Sequence, residues 1–119
     1  MLGLVFALAL SVPDPSVLTV HVEVVLQTPQ ELAVQIAHEY GLNTEHFLAT
    51  IKCESGWNTR AEGDGGTSFG LAQLHNPVTD WGITAEEAMT PEIALPIMAR
   101  AWVRGDAAKW SCWRDLYGN

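Results

Sequence analysis

The spacing of apolar residues changes period along this chain. Leu18, Val20, Val22 and Val24 alternate with Thr19, His21 and Glu23. A period of two is that of a strand, and no hairpin partner follows it. From Leu32 the spacing lengthens to threes and fours: Leu32, Ala33, Ile36, Ala37 and Tyr40 fall on one face of a helix. Thr28-Pro29-Gln30-Glu31 opens that helix with a threonine cap, a proline at the first helical position and a glutamate at the third. Gly41 stops it. A second helix is predicted from Asn43 or Thr44 to Glu54 or Ser55, with Gly56 as its terminator.

Beyond Gly56 the pattern turns polar and glycine-rich. Gly56, Gly63, Gly65, Gly66 and Gly70 predict a loop or a short irregular hairpin around Gly63-Asp64-Gly65-Gly66. Gly70-Leu71-Ala72-Gln73-Leu74 reads as a short helix ending before Asn76-Pro77. Thr84-Ala85-Glu86-Glu87 opens a turn of helix, and Thr90-Pro91-Glu92 opens a longer one through about Val103, with Pro96 expected to kink it. Gly105-Asp106 ends it, and Ala107 to Trp113 forms a last short helix. The expected fold is mainly α (α+β): one domain over residues 28–119, with a glycine-rich hairpin or loop carrying the polar residues. Residues 1–27 are an apolar leader and a possible strand outside it.

The leader carries an export question. Met1 to Val12 is almost wholly apolar, and Ala7-Leu8-Ala9 resembles a small-residue cleavage site. No Lys or Arg precedes Lys52, so the basic start of an ordinary signal peptide is missing. Pro13-Asp14-Pro15 interrupts the run before it could span a bilayer. The reading is an atypical export signal, without stable membrane insertion.

Composition narrows the partners. With 119 residues, 48% of them hydrophobic and 17% charged, the chain is a folded domain with one modest core. Fourteen acidic residues against six basic ones leave a net charge of −8, and no basic cluster is visible along the sequence. Nucleic-acid binding is excluded on that ground, and glycan recognition would rest on local hydrogen bonds and stacking. Five tryptophans, all from Trp57 onward, serve packing or sugar stacking. Cys53 and Cys112 can pair or remain buried thiols, and both readings stand. His38, His46, His75 and the cysteines lack metal-ligand spacing, so neither metal nor other cofactor is expected.

Glu54 is the residue that changes the picture. At 100° per residue, Phe47, Ile51 and Glu54 lie within about 60° of one another, so a carboxylate shares an apolar stripe directly before the glycine-rich loop. Lost hydration raises such a pKa, and a carboxylic acid held protonated is a general acid. The serines offer no nucleophile elbow, and the glycines no phosphate loop.

Two motifs then carry a resemblance. Ile51-Lys52-Cys53-Glu54-Ser55-Gly56-Trp57-Asn58, followed by Gly63-Asp64-Gly65-Gly66-Thr67-Ser68-Phe69-Gly70-Leu71-Ala72-Gln73, resembles the catalytic core of soluble lytic transglycosylases of the lysozyme-like superfamily. The pattern is a Glu-Ser pair at a helix end, then Ser-x-Gly-Leu-x-Gln, and the match covers about residues 28–113. The family's third element, Ala-Tyr-Asn-Ala-Gly, is replaced by Ala101-Trp102-Val103-Arg104-Gly105. The tyrosine hydroxyl near the catalytic glutamate is missing from that position, and Tyr40 or Tyr117 is the candidate substitute.

The resemblance implies a lysozyme-like fold and a lytic transglycosylase. It would cut the β-1,4 bond between N-acetylmuramic acid and N-acetylglucosamine in peptidoglycan glycan strands, leaving 1,6-anhydro ends. Glu54 would be the catalytic residue, acid then base, with Ser55, Ser68, Gly70, Leu71, Gln73 and Trp102 as substrate contacts. Periplasmic, extracellular or phage-associated placement follows from that substrate. A hydrolytic muramidase pairing Glu54 with Asp64 or Glu62 is the alternative within enzymes. A non-catalytic glycan-binding or virion-structural domain is the alternative outside them.

Overall fold

A computed structural model of the chain describes residues 26–75 and 81–119, so the leader and the strand expected over residues 18–24 lie outside the described part. Helix α1, Pro29–Glu39, begins with the expected capping box: the Thr28 hydroxyl accepts from the Glu31 N–H at 3.1 Å, and the Glu31 carboxylate accepts from the Thr28 N–H at 2.9 Å. Both bonds satisfy donors that a helix start leaves unpaired. Its buried face is Ala33, Ile36 and Ala37, with Leu32 and Tyr40 packed at the margin.

Helix α2, Thr44–Ser55, is capped by the Asn43 side chain, which accepts from the His46 N–H at 3.0 Å. It ends at Gly56 in the left-handed conformation, where a side chain would be strained. Phe47, Thr50 and Ile51 are fully buried. The Thr50 hydroxyl donates to the His46 carbonyl, so no buried polar group is stranded there.

The glycine-rich stretch forms a three-stranded antiparallel sheet in the order β1 (Glu62–Gly63), β2 (Ser68–Phe69), β3 (Leu74–His75). Glu62 pairs with Phe69 and Gly63 with Ser68; Ser68 then pairs with His75 and Phe69 with Leu74. The hairpin expected around Gly63 is present. The helix expected over Gly70–Leu74 is not: the segment is a turn running into β3. Two left-handed residues, Gly70 (φ +79°) and Gln73 (φ +49°), break any helical run there. Gly70 is further confined because a Cβ would collide with the Ala88 carbonyl oxygen of the neighbouring helix.

Helix α3, Ala85–Ala88, carries a second capping box between Thr84 and Glu87, and α4 spans Pro91–Val103. Helix α4 runs unbroken through Pro96. The last segment differs from the single helix expected over Ala107–Trp113. A 3₁₀ turn at Ala107–Lys109 gives way to extended backbone at Trp110 (φ −90°, ψ 121°), and α5 then spans Ser111–Tyr117. The break lets the Trp110 indole enter the core, where its N–H donates to the Ala72 carbonyl at 2.7 Å.

The fold is mainly helical with one small sheet. Helix α1 packs on α2 and α4, and α5 packs on α2. The core joins Ile36, Phe47, Ile51, Leu71, Leu74, Leu95, Met98 and Trp110. A disulfide between Cys53 and Cys112, 59 positions apart, ties the end of α2 to the start of α5. That settles the pairing left open by the sequence. No helix among the described residues is long and apolar enough to cross a membrane.

Candidate active site

Glu54 stands on the last turn of α2, one residue after the disulfide cysteine. Its Oε2 accepts a hydrogen bond from the Cys112 N–H at 3.0 Å, so the cross-linked cysteine also supplies the backbone donor. The carboxyl is half-buried. Burial, the largest influence, raises its pKa above the ordinary glutamate value; the Cys112 N–H lowers it; the nearby Asp64 charge raises it; the Ser111 hydroxyl and the Arg114 charge lower it. The net direction is up, as expected for a carboxylate losing water faster than it gains partners.

Glu54 lies in a cleft of about 830 Å³ lined by two stretches of chain. The sheet and its turns bring Asp64, Ser68, Gln73, Leu74 and His75. The C-terminal stretch, from α4 onward, brings Arg104, Lys109, Trp110, Ser111 and Arg114, and Trp81 joins the same lining. A volume of this size is that of a small-molecule or short-oligomer binding site.

The sheet side is built from strained backbone. Asp64 (φ +52°) and Gln73 (φ +49°) both hold left-handed conformations without being glycine. Such residues persist where the surroundings over-determine them, and here each is held by hydrogen bonds. The Gln73 amide donates to the Ala61 and Gly70 carbonyls at 3.2 and 3.0 Å. A Cβ on Gly63 would strike that amide, so the glycine makes room for it. Ser68 is buried and donates its hydroxyl to the Asp64 carboxylate, while His75 Nδ1 lies 3.3 Å from the Ser68 hydroxyl and 4.0 Å from Asp64 Oδ2.

The residues expected from the sequence separate into two groups. Glu54, Ser68 and Gln73 meet in the cleft, and Asp64 joins them while Glu62 does not. Ser55, Gly70, Leu71 and Trp102 lie outside its lining. Ser55 works on the helix end, donating to the Ile51 carbonyl at 2.9 Å and accepting from the Trp57 N–H at 3.2 Å. Gly70 and buried Leu71 shape the turn behind Gln73. Trp102 packs edge-on against Phe47, with ring centroids 5.3 Å apart.

Neither tyrosine supplies a hydroxyl to Glu54. The Tyr40 hydroxyl accepts from Arg100 at 3.5 Å, and Tyr117 stacks on His46 with centroids 3.7 Å apart. The substitute partner is the Cys112 N–H, with the Ser111 hydroxyl near enough to favour the carboxylate. Sequence reasoning also missed His75, Trp81 and the C-terminal cations. The one available signal for the cations was their density, since Arg104, Lys109 and Arg114 are three of only six basic residues.

Chemically, the cleft offers a proton donor of raised pKa, a second carboxylate nearby, an aromatic face and several hydrogen-bonding side chains. That set fits acid-assisted cleavage of an acetal. Comparison with protein-family models, with curated proteins and with solved structures returned no match.

Proposed function

We propose that this chain is a glycan-cleaving enzyme of lysozyme-like fold, a lytic transglycosylase acting on the peptidoglycan bond between N-acetylmuramic acid and N-acetylglucosamine. The observation that carries the reading is Glu54: a half-buried carboxyl of raised pKa, fixed by the Cys112 N–H, in a cleft large enough for sugars. The motif resemblance at Glu54-Ser55 and Ser68-Phe69-Gly70-Leu71-Ala72-Gln73 supplies the substrate class. The Cys53–Cys112 disulfide suits work outside the reducing cytosol, as a periplasmic, extracellular or phage-associated enzyme.

In the proposed reaction, protonated Glu54 donates to the glycosidic oxygen as the C1–O bond breaks. The acetamido carbonyl oxygen of the muramic ring closes onto C1 and carries the positive charge. Glu54, now a carboxylate, takes the proton from the muramic 6-hydroxyl. That oxygen attacks C1, the acetamido oxygen leaves, and the 1,6-anhydro end forms with Glu54 again protonated. A general acid of this kind is worth about 10²- to 10⁴-fold in rate. No cofactor enters the balance.

One observation favours a second reading, hydrolysis. Asp64 lies in the same cleft and its charge reaches Glu54, so a second carboxylate is at hand to serve as a base for water. Product masses from purified peptidoglycan separate the two, because anhydro ends are lighter by one water than reducing ends. The transglycosylase reading expects anhydro ends that persist in Asp64→Asn. Reducing ends that vanish in Asp64→Asn would replace it with the hydrolase.

A further inference from the structure

Ser68 and His75 stand directly opposite each other on β2 and β3, so their side chains share one face of the sheet. Thr67 precedes Ser68 in the turn. The His75 ring reaches both hydroxyls: Nδ1 lies 3.3 Å from the Ser68 oxygen and 3.3 Å from the Thr67 oxygen. The proposed reaction gives this imidazole no task.

Counting hydrogens fixes which ring nitrogen carries the proton. Each hydroxyl has a single proton to give. The Thr67 hydroxyl donates to the Asp64 carbonyl at 2.9 Å, and the Ser68 hydroxyl donates to the Asp64 carboxylate. A carbonyl and an ionised carboxylate can only accept, and it is as a charge that Asp64 is felt at Glu54. Both protons are therefore spent on Asp64, and both oxygens turn lone pairs towards His75. Nδ1 must then carry a hydrogen, shared between them. Rotating either hydroxyl to serve Nδ1 breaks a bond to Asp64, and for Ser68 that bond is charge-assisted. Asp64 Oδ2, 4.0 Å from Nδ1, favours the same polarity.

In the neutral ring Nε2 is left as an acceptor. It has no hydrogen-bond partner among the described residues, and the side chain is 59% exposed while lining the cleft. Across the cleft, Arg104, Lys109 and Arg114 can only donate. Asp64 is a charged acceptor on the sheet side, and Nε2 adds an uncharged one. A saccharide brings hydroxyls, and an N-acetylated one also brings amide N–H groups, all of which need acceptors.

We propose that His75 is a specificity-determining residue of the cleft: held as the Nδ1–H tautomer by Thr67 and Ser68, it accepts at Nε2 a hydrogen bond from a saccharide N–H or O–H. The assignment rests on the glycan reading of the cleft and names a contact within it. It also gives Asp64 a task other than that of a base, since its carboxylate and carbonyl hold the two hydroxyls that orient the imidazole. A ligand with an acceptor at that place sets lone pair against lone pair and is rejected.

The tautomer is read by nitrogen-15 NMR of the wild type above about pH 8, where imidazoles are neutral. The expected spectrum has a pyrrole-like Nδ1 and a pyridine-like Nε2, and the reverse pattern overturns the assignment. Binding is measured on Glu54→Gln, which holds ligand without turnover, using the N-acetylglucosamine trimer and the glucose trimer. Saturation is expected to move the Nε2 signal towards the pyrrole-like position. Adding His75→Asn is expected to weaken binding about fivefold, the scale of one neutral hydrogen bond. Asparagine keeps a donor for the two hydroxyls but ends short of Nε2, so a merely structural histidine leaves that affinity unchanged. His75→Gln, whose amide reaches further, retains most of it. A loss seen only with the N-acetylglucosamine trimer identifies the amide N–H as the donor; an equal loss with both trimers identifies a hydroxyl. Unchanged affinity in His75→Asn with an unmoved Nε2 signal overturns the His75 contact and leaves the glycan reading intact. A moved Nε2 signal and weakened His75→Asn binding, without peptidoglycan cleavage by the wild type, keep the contact and remove the enzyme. Binding of neither trimer overturns the contact, and if cleavage is also absent the glycan reading falls with it.

Discussion

The two sides of the cleft are held by different means. The sheet side rests on devices within one contiguous stretch of chain: a hairpin around Gly63–Thr67, left-handed Asp64 and Gln73, and Gln73 side-chain bonds to carbonyls three and twelve residues back. The C-terminal side rests on three long-range ties to the rest of the fold. Trp110 donates to Ala72, Cys112 donates to Glu54, and the disulfide crosses from α2 to α5. Local devices write themselves into a motif, whereas long-range ties do not. The acid sits where the two systems meet, so each can be broken separately and read out at Glu54.

The sheet side breaks most severely at Gly70. A Cβ there meets the Ala88 carbonyl oxygen and the residue keeps a left-handed φ, so Gly70→Ala strains backbone against backbone. We expect a loss of about 4 kcal/mol or more, visible as failure to fold or a steep fall in Tm. A melting curve within a degree of wild type would show that the turn yields cheaply.

On the C-terminal side, the disulfide closes a loop of 59 positions. Cys53→Ala/Cys112→Ala, or reduction of the wild type, is expected to cost about 4 kcal/mol through the entropy of the opened chain. Denaturant melts with and without reductant measure it. Activity should fall together with stability, because the Cys112 N–H leaves Glu54. Full activity at a temperature where the reduced protein is still folded would remove the disulfide from the site's support. Trp110→Phe keeps most of the apolar surface but strands the buried Ala72 carbonyl, for an expected loss of about 1–3 kcal/mol by the same melts.

The smallest effect sits at the junction. Because the folded pKa of Glu54 lies above its unfolded value, the native state holds the proton more tightly. Stability therefore falls as pH rises from the ordinary glutamate value through the raised one. Glu54→Gln removes that penalty. Its Tm is expected to equal or slightly exceed wild type at pH 7, with the difference closing at acid pH. A Tm below wild type at pH 7 would mean the charge is welcome where it stands.

Much of the fold was legible because its signals are local. Thr28, Asn43 and Thr84 cap their helices as their positions foretold, and Pro91–Val103 matches the predicted span. The two misread segments fail for tertiary reasons. Gly70–Leu74 has helix-forming side chains, yet β2 recruits Leu74 and His75 as a third strand. Ala107–Trp113 breaks at Trp110 because its indole is drawn into the core beneath Ala72. Glu54 was legible from an apolar stripe interrupted by a carboxylate. Its partners Ser111 and Cys112 were not, since nothing in their own neighbourhood records that α5 folds back onto α2. Trp102, placed at the motif's aromatic position, packs edge-on against Phe47 and Trp110 instead of lining the cleft.

The most direct test of the central claim is fragment release from purified peptidoglycan by wild type and by Glu54→Gln, at matched folding confirmed by melting. The account predicts that wild type releases soluble muropeptides and that the substitution lowers the rate by about 10²- to 10⁴-fold while the fold survives. Equal release by the two proteins would contradict it and take Glu54 out of the chemistry.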